Sequence, residues 1–252
     1  MGDAHPLGHG VWFTEVALRE YSVRGVLLSG ERQAFVWDTL SHPRDMAAFL
    51  PLITGRALTV AYSHADWDHI WGTGGLPHRG AVVLGHRSCL ARFGDDAPTT
   101  LEEMRATEPG AWDAVELIAP NRVFDDEAGL DLGGMTVALS HLPGHTRDCC
   151  VAFVPEHGLL LIGDAAESPF PVLPPRCLIE QWIAGLKRWE CDERVRRVVP
   201  AHGAIGGREI LTGNIRYLRG LRDGHPVDVP APLTDFYRAT HESNLRVCGL
   251  GR

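Results

Sequence analysis

Positive charge is scarce in this chain of 252 residues: 24 lysines and arginines stand against 32 aspartates and glutamates, a formal net charge of −8. A phosphate backbone wants a basic surface, so nucleic acid is not expected as the main partner. No apolar run reaches the 18 or more residues that a membrane-crossing helix needs, and no membrane partner is expected. The start, Met1-Gly2-Asp3-Ala4-His5-Pro6, lacks a basic segment followed by an apolar one, so no secretion signal is expected. Six cysteines (89, 149, 150, 177, 191 and 248) show no CxxC pair or framework spacing. They are expected as reduced thiols of a cytoplasmic protein, the adjacent Cys149 and Cys150 as strand residues. Low-complexity stretches and repeats are also missing. What remains is an ordinary globular composition, 44% apolar and 22% charged, long enough for a sizeable core.

Apolar runs read as strands at 11–13, 23–28, 34–37, 57–62, 81–84, 122–124, 135–139, 150–154, 159–162 and 198–199. Ser41 and Pro43 predict a helix running to about Leu50. Thr99 and Glu102 read as a capping box for a helix near 100–107, within a segment (94–114) suited to a lid or pocket wall. Ile179, Trp182, Ile183, Leu186 and Trp189 recur at helical spacing, and 207–222 repeats the pattern. A Pro-rich stretch, 226–232, leads to a short helix at 233–245. The order suggests two sheets packed together with helices outside, in a single domain spanning 1–252 with 225–252 as a C-terminal extension.

The run Ser63-His64-Ala65-Asp66-Trp67-Asp68-His69 follows the apolar stretch 57–62 and places four ligand-type side chains within six positions. Three further ligand-type residues lie at or just beyond strand ends, each beside Gly or Pro: His145 in Pro143-Gly144-His145-Thr146, Asp164 after Gly163, and His202 in Ala201-His202-Gly203. Small neighbours permit tight turns that aim side chains at a shared centre. Loops converging from strand ends are how multi-ligand sites are assembled.

This ordered set resembles the metallo-β-lactamase superfamily, whose hallmark is His-x-His-x-Asp-His, then Gly-His-Thr/Ser, Gly-Asp and Gly/Ala-His-Gly, over about residues 10–220. The resemblance implies an α+β fold, a four-layer αββα sandwich, with a dinuclear metal site on one edge. It implies that His64, Asp66 and His145 bind one metal, that Asp68, His69 and His202 bind the other, and that Asp164 bridges both. The implied activity is hydrolysis of a small-molecule thioester, ester or lactone by a metal-activated water, with Asp68 as the catalytic residue orienting the nucleophile.

Asp66 stands where the family has its second histidine. Three carboxylates against two divalent ions leave about +1 at the site, against about +2 for the usual set. Oxygen ligands also move preference from zinc toward manganese or iron. Two divalent metal ions are therefore expected, zinc first and iron or manganese second. The alternative function is a di-iron or iron/manganese redox enzyme. Of the neighbours, Trp67 is expected to pack beneath the site. Arg147 and Arg176 are candidates for a substrate carboxylate. His86, His141 and His241 are weaker candidates, and Cys149 and Cys150 are expected as inert buried thiols.

Overall fold

A computed structural model describes residues 2–225, 227, 229 and 232–251. Seven strands form one sheet in the order β1 to β7: His5–Gly8, Val11–Ala17, Ser22–Ser29, Gln33–Trp37, Ala57–Ala61, Val82–His86 and Arg122–Phe124. β1 to β4 pair antiparallel; β4, β5, β6 and β7 run parallel. The second sheet holds β8 (Glu127–Asp131), β9 (Thr136–His141), β10 (Cys150–Val154), β11 (Leu159–Gly163) and β12 (Arg197–Pro200). Its order is β12-β11-β10-β9-β8, and only β11 and β12 are parallel.

Strand periodicity distributes the core. In β4, Phe35 and Trp37 face the space between the sheets while Ala34 and Val36 face outward. In β11, Leu159 and Leu161 face inward while Leu160 and Ile162 face outward. Period-two alternation in strands buried on both faces makes three apolar layers. The outer layer of the first sheet is covered by a 3₁₀ stretch, Pro43–Ala48, and by α1 (Leu50–Ile53), α2 (Trp67–Ile70), α3 (Arg87–Arg92) and α4 (Asp96–Thr107). α5 (Ile179–Glu190) and α6 (Glu209–Asp223) cover the second sheet, and α7 (Asp235–Val247) packs beside them. This is the αββα sandwich. No helix among the described residues is long and apolar enough to cross a membrane.

Local elements depart from the sequence reading in four places. The helix expected from Ser41 breaks into the 3₁₀ stretch and the single turn of α1. His42, not Ser41, caps it, its Nδ1 accepting from the Arg44 amide at 3.1 Å. α4 begins at Asp96, so Thr99 lies inside the helix and donates to the Asp95 carbonyl instead of forming a capping box. β1 and β8 were not foreseen. Both are edge strands with exposed residues and little apolar content, where the alternation signal is weakest. The Pro-rich stretch 226–232 lies partly outside the described residues.

Candidate metal centre

The first loop is fixed by a carboxylate that the sequence reading missed. β4 ends at Trp37, and Asp38 follows with φ 57°, a conformation Asp adopts more readily than most residues. Its Oδ1 accepts from the Ser63 amide at 2.7 Å, and its Oδ2 accepts from the Ser63 hydroxyl at 2.8 Å and from His69 Nδ1 at 2.9 Å. One buried carboxylate thus ties the start of the loop after β5 to its end. Asp38 follows an apolar strand just as the other site residues do, and that was the signal available for finding it.

The other loops are held as firmly. His145 Nδ1 donates to the Val172 carbonyl at 3.0 Å, and His202 Nδ1 donates to the Ser22 carbonyl at 2.7 Å. With Nδ1 engaged as donor, Nε2 is left as the free lone pair. Gly163 precedes Asp164 with φ 54°, and a Cβ there would lie 2.8 Å from the Ser63 Cβ. Only glycine lets the tip of β11 approach the first loop this closely.

The seven side chains named from the sequence converge. Asp164 Oδ2 lies 3.7 Å from His64 Nε2 and 3.6 Å from His145 Nε2. Its Oδ1 lies 3.3 Å from His69 Nε2 and 3.2 Å from His202 Nε2. Asp66 Oδ2 faces the first pair, 3.3 Å from His64 Nε2 and 3.5 Å from His145 Nε2. Asp68 faces the second, with Oδ1 3.7 Å from His69 Nε2 and Oδ2 3.7 Å from His202 Nε2. In each of three groups (His64/Asp66/His145, Asp68/His69/His202 and His64/His69/Asp164) the ligand atoms all lie within 4.8 Å of one another. The Nε2 atoms of His64 and His69 and the Asp164 Oδ1 are buried without a hydrogen-bond partner. Buried polar atoms left unpaired call for an ion or water, and a mixed imidazole–carboxylate set fits a metal ion.

The electrostatics agree. Burial opposes the charged forms throughout, yet the charges of His202 and His69 hold the Asp164 carboxyl well below the usual carboxylate range. Reciprocally, and again against burial, Asp164 and its neighbours push His69 well above the ordinary histidine value. Asp66 and Asp164 push His145 up to about 9, and Asp164 chiefly pushes His202 up to about 10.

The family model of the metallo-beta-lactamase superfamily matches residues 19–236. The chain belongs to that superfamily. A bovine (Bos taurus) relative called acyl-coenzyme A thioesterase MBLAC2 is 31% identical over 234 residues, covering 81% of this chain and 82% of the relative. The chicken (Gallus gallus) protein of the same name is 26% identical over 230 residues, covering 82% of each. Among solved structures, a metallo-beta-lactamase from Pontibacter korlensis superposes with a TM-score of 0.68 at 16% identity, over 87% of this chain and 99% of the other. An archaeal member of the superfamily from Sulfolobus tokodaii gives 0.67 at 20% identity, over 96% and 99%. At these identities the structures establish the shared fold. The superfamily match and the thioesterase relatives together support a metal-dependent hydrolase.

Against the superfamily pattern, Asp66 carries a partner that no sequence signal announced. Arg92, from the last turn of α3, places its Nη1 2.7 Å from Asp66 Oδ1 and 3.3 Å from Asp148 Oδ1. Asp148 Oδ2 in turn accepts from the Ala65 amide at 2.8 Å. Asp66 thus offers one oxygen to the histidines and the other to a guanidinium. Arg92 is shared, however: its Nη2 also lies 2.6 Å from Asp96 Oδ2, so Asp148 and Asp96 already balance the guanidinium and the net charge expected for two divalent ions does not rise above about +1.

The pocket over the centre, about 230 Å³, is lined by five of the seven, Asp66, Asp68, His145, Asp164 and His202, and by Tyr21, Trp67, Glu167, Val172 and Phe236. The Tyr21 hydroxyl lies 3.2 Å from Asp68 Oδ2. Glu167 is buried, and burial pushes its carboxyl up to about 7. Neither residue was foreseen: Tyr21 lies in a turn, and Glu167 falls between Asp164 and a proline-rich loop with no motif around it. Trp67, expected beneath the site, is half-buried and forms its wall. Arg147 and Arg176 are exposed and do not line the pocket. His241 pairs with the Tyr217 hydroxyl at 2.9 Å, so Phe236 is the α7 residue that reaches the pocket. His86 and His141 stack on each other at 3.7 Å, outside the pocket lining. Cys149 and Cys150 are buried free thiols that burial pushes well above the ordinary thiol value.

Proposed function

We propose that this chain hydrolyses an acyl thioester of a small molecule at a dinuclear metal centre. The observation that carries the reading is the Asp164 carboxylate, whose two oxygens face two different pairs of imidazole Nε2 atoms. His64, Asp66 and His145 would hold one ion, Asp68, His69 and His202 the other, and Asp164 would serve both. The thioester preference rests on the names of the MBLAC2 relatives. When bound, the metals supply Lewis acidity toward a carbonyl and acidify a water. Asp68 is the catalytic residue: its carboxylate orients the attacking water and is itself steadied by the Tyr21 hydroxyl. His64 and His69, fully buried and outside the pocket lining, exclude bulk water from the far side of the centre.

Zinc is the favoured ion. Asp66 favours iron or manganese and with them the redox reading, but Arg92 occupies its Oδ1 and leaves one oxygen toward the histidines, beside four imidazoles that suit zinc. Six unpaired thiols and the acidic surface support a cytoplasmic enzyme without a nucleic-acid partner. Asn244 supports a single domain extending through α7: its side chain accepts from the Leu173 amide and donates to the Pro171 carbonyl.

The test is elemental analysis by plasma mass spectrometry of protein purified without added metal or chelator, followed by thioester, ester and lactone turnover. About two zinc ions per chain with thioester cleavage is the expected result. Iron or manganese with oxygen consumption and no hydrolysis would replace it by the redox reading. Absence of metal even after reconstitution would overturn both.

A further inference from the structure

A second cavity, about 400 Å³, adjoins the metal-facing pocket, and Tyr21 and Trp67 form walls of both. Its remaining lining is largely apolar: Leu18 before the turn that carries Tyr21, Met104 from α4, and Trp112. Trp67 and Trp112 meet edge to face, ring centroids 5.6 Å apart, and each also packs on the buried Trp71. The charged groups of the cavity are already engaged with one another. Glu108 pairs with Arg19 and accepts from the Trp112 indole at 3.1 Å. The cavity therefore offers much apolar surface, and its one carboxylate is already paired. A volume of this size lies within the range of small-ligand sites.

We propose that this cavity is the acyl-chain subsite: the carbonyl of the thioester sits over the metal centre and its alkyl chain passes between Tyr21 and Trp67 into the chamber of Leu18, Met104 and Trp112. The inference rests on the hydrolase reading above and specifies which half of the substrate goes where. An alkyl chain needs no hydrogen-bond partner and gains from every methylene removed from water. The thiol half of a coenzyme thioester carries amides, which would be stranded in this chamber at considerable cost. The amides and the charged end are left to the open side of the metal-facing pocket. The segment 94–114, which the sequence marks as a pocket wall, supplies Met104 and Trp112, so chain-length selection is carried by α4 and the turn that follows it.

Two measurements on the metal-loaded enzyme test this. The first is kcat/KM for acyl-coenzyme A thioesters from acetyl to dodecanoyl, in the wild type, in Met104→Glu and in Leu18→Gln. Each methylene seated in the chamber is expected to raise wild-type kcat/KM by about fourfold until the chamber is full. Either variant should cut the octanoyl-to-acetyl ratio by at least about tenfold. The second is quenching of tryptophan fluorescence by dodecanoate brominated at its terminal carbon, which brings the halogen against Trp67 and Trp112. Quenching is expected in the wild type and weakened in both variants. A flat chain-length profile, or one that neither variant alters, would overturn the subsite while the hydrolase reading stands. Quenching that the variants relieve, with no thioester cleaved at any length, would keep the subsite and reject the hydrolase reading. No quenching together with no turnover would reject both.

Discussion

A carboxylate at position 66 needs a countercharge that an imidazole would not, and Arg92 provides it at 2.7 Å. Arg92 holds Asp66 Oδ1 and leaves Oδ2 facing His64 and His145. Arg92→Gln should weaken binding of one zinc ion by about 10- to 100-fold, the usual scale for a partner that orients a ligand. In an Asp66→His background the same change should matter little. Competition with a chelating indicator dye measures both, and equal losses in the two backgrounds would reject the coupling. Asp38 makes a similar case. Its removal in Asp38→Ala frees His69 Nδ1 and the Ser63 amide together, so zinc affinity should again fall by about 10- to 100-fold, in this instance with a loss of stability.

At the scale of elements, α5 serves two ligand loops at once. The Trp182 indole donates to the Ala165 carbonyl at 2.6 Å, directly beside Asp164, and its ring packs edge-on to His145 at 5.9 Å. Gly144 leaves room for it, since a Cβ there would meet the Trp182 ring at 2.3 Å. Trp182→Ala should destabilise the protein by about 3–5 kcal/mol, as expected for deleting a fully buried indole. Trp182→Phe should retain most of the packing and lose the hydrogen bond alone; thermal unfolding of the two variants separates these contributions. α5 was also the most legible helix, because four buried positions at helical spacing leave little room for another reading. The central strands were legible for the same reason: Ala34–Trp37 and Leu159–Ile162 are apolar on both faces. β1 and β8 escaped because an edge strand needs only half a pattern, and α4 began early because backbone geometry rather than its Thr99 side chain sets its start. The seven converging residues were readable one loop at a time from their motifs. Arg92, Glu167 and Tyr21 were not, since each reaches the site from an element whose position depends on the tertiary fold.

For the whole molecule, the charge pattern sets a pH dependence. Without metal, the surrounding carboxylates push His145 up to about 9 and His202 up to about 10, above the ordinary 6.5. Their contribution to stability is complete below about pH 6.5 and disappears as the pH rises through 9 and then 10. Metal-free protein should therefore lose melting temperature across that alkaline range, while the metal-loaded form should not follow it. Metal binding near neutral pH must also expel the imidazolium protons. Calorimetric titration with zinc in buffers of different ionisation enthalpy should show net proton release, shrinking toward pH 10. Zinc uptake without proton release would mean that these imidazoles are already neutral or do not bind the ion.

The side chains that converge at the centre come from both sheets: Asp38 and the 64–69 loop from one, His145, Asp164 and His202 from the other. Any ion seated among them acts as a rivet through the sandwich, fastening the tips of β5 and β11 to each other. Such a rivet forms only after the two halves have docked, so it cannot guide early folding, but it must come out before the halves separate. Chelation should therefore do more than silence the enzyme. Amide exchange at the strand tips should accelerate, and proteases should find the chain open along the seam between its sheets.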